Sequence, residues 1–398
     1  MTRFAIVVIG YNRPESMKRI LYRLSECYYG DDNVTLITSI DNCGDDRVEK
    51  VCDLFEWKYG EKRVIKHAQR MGLRKHILSC GDLLLNDEFD ALAVFEDDIY
   101  PSEAFYLYMK ATYEKYVDNE QIAGISLYSP TYVTSNDFKF SPQDSMYDVY
   151  FMKVAQSWGQ IWTAKQWIKF KDWYESNNEE WEYSDFVPAA IGKWGKNSWL
   201  KYYMRYCGEK DLYFVYPYKS LTTCYSETGQ HTIENSTLLQ RPLVIGRSEI
   251  FRLPELNEEA IRYDAFYENE NVLKHIADAV RIQGSEITID IYGTKPIHHR
   301  YWLTTKRKGY KVLKSFDMNM KPHEMNVILA VPGNRIFLYD THEQGVVPEH
   351  GLTYLNALEY YNDFKFNRKK ILKLFVPVMI RSFKHYICAK KHGYKKQK

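Results

Sequence analysis

Short runs of apolar, often β-branched residues alternate with helix-like segments over the first hundred residues, and this alternation leaves few folds open to the chain. Strands are predicted at four runs: Phe4–Ile9, Val34–Ile40, Val64–Ile65 and Ala91–Phe95. Helices are predicted between them, from Pro14, over Val48–Phe55 and over Gly72–Leu85. Uninterrupted apolar strands separated by helices are typical of a parallel sheet covered on both faces. The sequence therefore predicts an α/β fold with a mostly parallel sheet flanked by helices.

Polar residues follow three of these predicted strands. Arg13 comes after the first strand, Asp41 after the second, and Glu96-Asp97-Asp98 directly after the fourth. In open α/β sheets, ligands bind beyond the carboxyl ends of the strands. Adjacent carboxylates repel each other unless a cation compensates them, and oxygen ligands favour Mg²⁺ or Mn²⁺. The sequence therefore predicts a divalent metal at Glu96-Asp97-Asp98, where it would act as a Lewis acid on a departing diphosphate.

The rest of the chain has a less regular pattern. Further strands are predicted at Ile122–Leu127, Leu212–Tyr216, Ile287–Tyr292 and Asn326–Val331, with helices ending near Trp173 and over Ser198–Tyr206. We predict a catalytic domain over residues 1–248, a small α+β accessory domain over 249–366, and a basic helical tail over 367–398.

The tail carries a strong charge asymmetry. Residues 368–398 hold eleven Lys or Arg and no Asp or Glu, which leaves 43 basic against 52 acidic residues in the rest of the chain. Because only the tail is basic, nucleic-acid binding is disfavoured. Basic and bulky apolar residues alternate there around Pro377, which predicts a broken or kinked amphipathic helix on an anionic membrane surface.

The expected compartment follows from cysteine usage and hydropathy. The seven Cys are scattered with no CxxC pair, so neither a zinc site nor a disulfide framework is indicated, as is typical of a reducing compartment. There is no signal-peptide pattern and no run of ~18 apolar residues. We therefore expect a cytoplasmic protein, peripheral on the inner face of the membrane.

Three motifs in order resemble those of one enzyme family. They are Ile9-Gly10-Tyr11-Asn12-Arg13, Ser39-Ile40-Asp41-Asn42-Cys43-Gly44, and Glu96-Asp97-Asp98-Ile99-Tyr100-Pro101 followed by Phe105. This pattern is similar to that of the GT-A-fold glycosyltransferases, in particular the N-acetylglucosaminyltransferase that begins complex N-glycans and bacterial polysaccharide enzymes. The resemblance covers roughly residues 4–245.

The resemblance implies a nucleoside-diphosphate sugar, most simply a UDP-sugar, as donor and a glycan or lipid-linked glycan as acceptor, with Mn²⁺ or Mg²⁺ as cofactor. It also implies site roles. Asp98 would bind the metal, Asp97 the ribose or donor sugar, and Asp41 the uracil edge. The remaining donor-binding positions that it implies are Tyr11, Asn12, Arg13, Arg74, Glu96, Trp158 and His231, with His231 a second candidate for the metal.

The catalytic base is where the sequence departs from the family. The family has an acid in a Trp-Asp-Asp-Trp stretch, but residues 194–199 read Trp-Gly-Lys-Asn-Ser-Trp. An inverting transferase needs a carboxylate to deprotonate the acceptor, so Asp185 is the first candidate and Glu182 the second. The missing acid leaves a catalytically impaired sugar-binding protein as an alternative. A nucleotidyltransferase is a weaker one, because no glycine-rich phosphate loop follows the first strand.

Overall fold

The computed structural model describes residues 2–136, 138–226 and 237–363, and in the tail residues 365, 367, 369, 371, 373, 375–380 and 382–383. The chain divides into two compact units, Met1–Gly351 and Leu352–Lys398. The strands are β1 Phe4–Gly10, β2 Thr35–Ile40, β3 Lys62–Lys66, β4 Ala91–Glu96, β5 Ile99–Pro101, β6 Ile122–Ser126, β7 Val149–Met152, β8 Gln160–Thr163, β9 Tyr213–Pro217, β10 Thr222–Cys224, β11 Arg262–Tyr263, β12 Ile287–Asp290, β13 Tyr301–Thr304, β14 Tyr310–Phe316 and β15 Ile336–Gln344. The helices are α1 Pro14–Ser25, α2 Arg47–Leu54, α3 Leu73–Gly81, α4 Phe105–Tyr116, α5 Ala164–Glu175, α6 Ala189–Gly192, α7 Leu200–Glu209, α8 Leu273–Val280, α9 Met325–Ile328 and α10 Tyr354–Tyr361.

The large sheet confirms the predicted α/β architecture. Within the described residues its nine strands lie in the order β11-β7-β9-β6-β8-β4-β1-β2-β3. The neighbours β4, β1, β2 and β3 are all parallel, while β8 runs antiparallel to both β4 and β6. Because β4, β1 and β2 are parallel, their carboxyl ends lie at the same edge, which we call the carboxyl edge. The first and fourth predicted strands are therefore spatial neighbours.

Alternation of side chains along β1 explains why the sheet is covered on both faces. Ala5, Val7 and Ile9 belong to one hydrophobic core, whereas Phe4, Ile6 and Val8 belong to the core on the other face. Helix α1 covers the second face, because its apolar side chains belong to the same core as Phe4, Ile6 and Val8. The helix begins at a Pro, which is favoured at the first helical position. Its buried side chains, spaced at helical intervals, are Ser16, Met17, Ile20, Leu21 and Leu24.

A cluster of aromatic side chains lies between α5 and α7. Helix α5 starts with a capping box formed by Thr163 and Gln166. Phe170 on α5 stacks on Tyr203 of α7, with ring centroids 4.1 Å apart. Trp162 of β8 packs on the same cluster and is fully buried. These rings therefore stabilise the fold and are not available to a ligand.

A smaller four-stranded sheet, in the order β12-β13-β15-β14, follows the large one in the chain. Strand β11, earlier in the chain, pairs with β7 of the large sheet. The predicted strand Asn326–Val331 is wrong, because this segment begins with helix α9 and continues irregularly. The side chain of Asn326 explains the difference: its Oδ1 accepts hydrogen bonds from the backbone N–H groups of Asn319 and Met320, at 2.7 and 2.8 Å. Such local side chain–backbone bonds compete with strand formation.

The unit Leu352–Lys398 contains α10 and part of the predicted basic tail. Among its described residues, 375–380 are helical, Pro377 included, and their apolar side chains are exposed. No helix in the described part of the chain is long and apolar enough to cross a membrane. The six Cys residues for which the structure gives a state are free thiols.

Candidate active site at the carboxyl edge

The carboxyl edge brings together the polar clusters that follow β1 and β4. Ile9 pairs with Glu96, and Gly10 pairs with Ile40, so the segments that leave these three strands start side by side. The amide of Asp41 donates to the carbonyl of Gly10 at 3.0 Å, which continues this alignment past the strand ends. Side chains separated by about 85 positions in the sequence are thereby brought within hydrogen-bond reach.

Arg13 is paired with both aspartates of the acidic turn, Glu96-Asp97-Asp98. Its Nη1 donates to Oδ2 of Asp98 at 3.0 Å, its Nε donates to Oδ2 of Asp97 at 3.3 Å, and its Nη2 contacts Asp97 as well. Burial opposes the charged guanidinium, but the two carboxylates outweigh this effect and raise the pKa of Arg13 above its usual value. Asp97 is buried, whereas the side chain of Asp98 is 28% exposed. Asp98 is thus the more exposed aspartate of the turn.

The acidic turn remains short of positive charge despite this arginine. Burial and, after it, the neighbouring Asp98 and Asp97 together raise the pKa of Glu96 to about 8, although Arg13 partly opposes them. Three carboxyl groups thus face one guanidinium. This excess of carboxyl groups favours the binding of an additional cation.

A second chain segment lies directly against the acidic turn. Strand β5, which follows Asp98, pairs antiparallel with β10, and the amide of Tyr225 donates to the carbonyl of Asp98 at 2.9 Å. Residues 225–226 then lead into 227–236. The predicted diphosphate or metal ligand His231 lies in that range, outside the described residues.

Trp158 lies beside the same segment. Its carbonyl accepts a hydrogen bond from Oγ1 of Thr222 at 2.5 Å, and its ring packs edge-to-face on Tyr128 with centroids 4.7 Å apart. Gly159 adopts a left-handed φ of 89°, and an added Cβ would come within 2.7 Å of Thr222. This tight packing places the partly buried Trp158 next to β10 and therefore one strand away from the acidic turn.

Of the two arginines that flank Gly72, only Arg70 faces the segment after β1. Its guanidinium lies 4.9 Å from the ring centroid of Tyr11. Arg74, the arginine predicted from the sequence, instead donates from Nη1 to the hydroxyl of Tyr202 at 2.6 Å and stacks over that ring. Asn12 is exposed. The sequence holds no signal that distinguishes Arg70 from Arg74, since both lie in the same basic stretch, although the structure places Arg74 in α3.

A buried polar cluster behind Asp41 was not predicted from the sequence. Oγ of Ser39 lies 2.7 Å from Nε2 of His76 and 3.1 Å from Nε2 of His67. Burial lowers the pKa of His76 to about 4, with a further contribution from His67, so this imidazole is neutral at physiological pH. The two histidines are nine positions apart on different elements, which is why no local pattern indicated the pair.

The predicted base lies in an exposed loop. Oδ1 of Asp185 accepts a hydrogen bond from the hydroxyl of Tyr183 at 2.6 Å. Asp185 also acts on His298: burial, and to a smaller extent Lys295, lower the pKa of this histidine, whereas the charge of Asp185 raises it. No hydrogen bond or ion pair within the described residues joins Asp185 to the acidic turn.

The stretch that stands in place of the family's acidic motif is structural. Trp199 is buried against Trp162, with ring centroids 5.6 Å apart. The ammonium group of the buried Lys201 donates to the carbonyls of Gly192 and Trp194, at 2.8 and 3.3 Å. These contacts fix the backbone of the stretch and offer no carboxylate to a substrate.

The residues of the acidic turn can be compared with what a divalent cation requires. Among the described residues, no three His, Cys, Asp or Glu side chains are grouped so that they could hold a metal ion. Mg²⁺ and Mn²⁺ need only one or two protein carboxylates when donor phosphates supply the other ligands. The partly exposed Asp98, in a turn that is short of positive charge, fits that requirement.

Comparison with known proteins finds similarity only to solved structures, and at low sequence identity. No protein-family model and no curated protein matches the sequence. Solved structures that resemble the chain include S. aureus TarS 1–349 in complex with UDP-GlcNAc, at 11% identity and a TM-score of 0.39 over 58% of this chain and 60% of that one. TarS 1–349 alone gives 12% identity and a TM-score of 0.36 over 56% and 61%, respectively.

The mannosyltransferase PcManGT from Pyrobaculum calidifontis, in complex with GDP-Man and Mn²⁺, is 11% identical with a TM-score of 0.30 over 48% of this chain and 50% of that one. The chain spans less than two thirds of the length of the protein chain in each of these three structures.

Proposed function

We propose that this chain is a metal-dependent glycosyltransferase that moves a sugar from a UDP-sugar to a glycan acceptor. The observation that carries the proposal is the acidic turn at the end of β4, in which a partly exposed aspartate lies beside a buried aspartate that Arg13 holds in place. A catalytic site for diphosphate departure needs a cation-binding carboxylate and fixed groups around it. The end of β2 lies beside the end of β1, and Trp158 packs against β10, which pairs with the strand that follows the acidic turn.

In this proposal each group has a distinct task. Asp98 would hold Mn²⁺ or Mg²⁺, which when bound supplies Lewis-acid stabilisation of the diphosphate leaving group. Arg13 orients Asp97 and Asp98 by fixed hydrogen bonds, and Asp97 would bind the ribose or donor sugar. Trp158 would bound the sugar site, and Asp185 would take the proton of the acceptor hydroxyl in an inverting reaction.

Release of nucleoside diphosphate tests this function directly. The purified chain is incubated with UDP-glucose, UDP-GlcNAc and GDP-mannose, each with Mn²⁺, with EDTA, and with EDTA followed by excess Mn²⁺. We expect slow hydrolysis of at least one UDP-sugar that stops with EDTA and returns with Mn²⁺. A preference for GDP-mannose would contradict the proposal that the donor nucleotide is UDP. Failure to bind or hydrolyse any of the three donors would contradict the proposed function.

The same assay separates the alternatives. A catalytically impaired sugar-binding protein would bind a UDP-sugar without releasing UDP, an outcome that the missing acid near Trp199 makes worth measuring. A nucleotidyltransferase would release pyrophosphate from a nucleoside triphosphate when a sugar phosphate is added. Neither outcome is expected here.

We further propose that the basic tail binds an anionic membrane surface, where a lipid-linked acceptor would reside. Phe375, Met379 and Phe383 recur every four residues and are 61%, 57% and 66% exposed, so they can share one face of a helix. Basic residues flank them, and each contributes ~1 kcal/mol near an anionic leaflet. Apolar side chains with flanking cations favour binding in the headgroup region.

Removal of residues 368–398 is therefore expected to release the protein from anionic vesicles while donor hydrolysis in solution is retained. Co-sedimentation with phosphatidylserine-containing vesicles at low and high salt measures the effect. Replacement of Phe375, Met379 and Phe383 by Ser keeps every charge and should weaken binding at both salt concentrations. Full-length protein that stays in the supernatant at low salt would refute the membrane role.

A further inference from the structure

Asp41 has a carboxylate that is almost entirely occupied by the chain itself. The residue is only 4% exposed. Its Oδ1 accepts from the backbone N–H groups of Asn42 and Met71, at 2.9 and 2.7 Å, and its Oδ2 accepts from that of Gly72 at 2.9 Å. A carboxylate has about four acceptor positions. Three backbone donors therefore leave little capacity for a base edge.

The segment that Asp41 holds is residues 68–72, which we call the clamped loop. The side-chain amide of Asn42 donates to the carbonyl of Ala68 at 2.8 Å. Asp41 and Asn42 therefore form hydrogen bonds with opposite ends of the loop. Gly72 has a φ of 77°, a left-handed conformation that favours glycine, and it immediately precedes α3. This turn directs the amides of Met71 and Gly72 toward the carboxylate, where the positive end of the helix dipole also favours negative charge.

The clamped loop carries one exposed arginine to the carboxyl edge. Arg70 immediately precedes Met71, and its guanidinium lies over the ring of Tyr11. Tyr11 lies two residues before Arg13, which is bound to the acidic turn. Arg74 is turned away to Tyr202. Arg70 is thus the arginine of this loop that stands beside the proposed donor site, and Asp41 sets its position.

We propose that Asp41 is a positioning residue that fixes the clamped loop, and that Arg70 stacked on Tyr11 contacts the nucleoside diphosphate of the donor. This inference rests on the proposed function for its ligand. It assigns Asp41 a role other than the recognition of uracil that the sequence resemblance implies. A guanidinium offers several donors in a planar fork suited to phosphate oxygens. Loss of the hydrogen bonds from Asp41 to the clamped loop would then weaken the binding of all nucleoside diphosphates alike. Loss of a contact to the nucleobase would instead change the preference between UDP and GDP.

The test compares Asp41→Asn with Asp45→Asn, the same substitution a few residues further along. The carboxylate of Asp45 also accepts a backbone N–H, from Arg47 at 3.0 Å, but does not contact the clamped loop. Calorimetry gives the Kd of UDP and of GDP with Mn²⁺, and amide hydrogen exchange reports on Met71 and Gly72. Asp41→Asn keeps the size of the side chain but presents N–H groups to a backbone donor.

We expect Asp41→Asn to weaken the binding of UDP and of GDP by the same factor, about tenfold or more. We also expect it to accelerate amide hydrogen exchange at Met71 and Gly72. Asp45→Asn should change neither. Arg70→Ala should weaken both nucleotides similarly, and Asp41→Asn should then add little, because the two residues act in one path. If Asp41→Asn fails to fold, Asn42→Ala, which removes the bond to Ala68, should give a smaller change of the same kind.

Three results would overturn the inference. A changed ratio of UDP to GDP affinity in Asp41→Asn, with normal exchange at Met71, would mean that Asp41 recognises the base. Normal donor binding in Arg70→Ala would remove Arg70 from the site. If the wild-type chain binds neither nucleotide, the proposed function and the donor contact both fail, while exchange at Met71 and Gly72 still decides whether Asp41 holds the loop.

Discussion

Replacing Asp98 by Ala is expected to abolish metal-dependent donor binding and to lower donor hydrolysis about 10³-fold, because a metal ion contributes several kcal/mol of charge stabilisation. The fold should persist, since Arg13 keeps its bonds to Asp97 and Asp98 is partly exposed. Calorimetry with UDP in Mn²⁺ and in EDTA measures the first effect. Release of UDP from the donor measures the loss of hydrolysis, and thermal unfolding of the same samples shows whether the fold persists.

A surface aspartate provides the matched control for this change. Asp118 is 80% exposed and paired with Lys165, so Asp118→Ala removes one negative charge from outside the acidic turn. Asp98→Glu keeps a carboxylate and should retain part of the Mn²⁺ dependence. If Asp98→Ala binds UDP with unchanged Mn²⁺ dependence, the acidic turn does not hold the metal.

Replacing Asp185 by Asn is expected to lower the rate of sugar transfer ~10²–10⁴-fold with donor affinity nearly unchanged, since a general base acts on the acceptor and not on the nucleotide. Its exposure makes destabilisation small, because surface substitutions usually change stability little. Steady-state transfer to the acceptor, compared with the Kd of UDP, separates these effects.

Glu182→Gln is the parallel variant, because Glu182 is exposed in the same loop and is the second candidate. Tyr183→Phe removes the hydroxyl that donates to Asp185 and should shift the pH profile of transfer if that carboxylate is the base. Normal transfer in Asp185→Asn together with a large loss in Glu182→Gln would move the role to Glu182.

Local pattern predicted the first half of the large sheet well. The apolar runs around β1, β2 and β4 are uninterrupted, and strands of this kind need helices on both faces whatever their exact neighbours are. The helix predicted over Gly72–Leu85 is divided in the structure into α3 and a 3₁₀ helix, Asp82–Asn86. Such changes near helix ends depend on tertiary packing that periodicity does not contain.

By itself, the sequence determined which strands are buried and that charged clusters follow them, because both depend on residues that are close together in the chain. Only the tertiary structure decided how those clusters combine. Arg13 meets Asp97 because β1 pairs with β4, and Arg70 rather than Arg74 reaches Tyr11 because Tyr202 of α7 binds Arg74. Asn326 lies in helix α9 instead of a strand, and its side chain accepts hydrogen bonds from the amides of Asn319 and Met320. Each of these outcomes is set by contacts formed on folding, where packing and hydrogen-bond satisfaction override local preference.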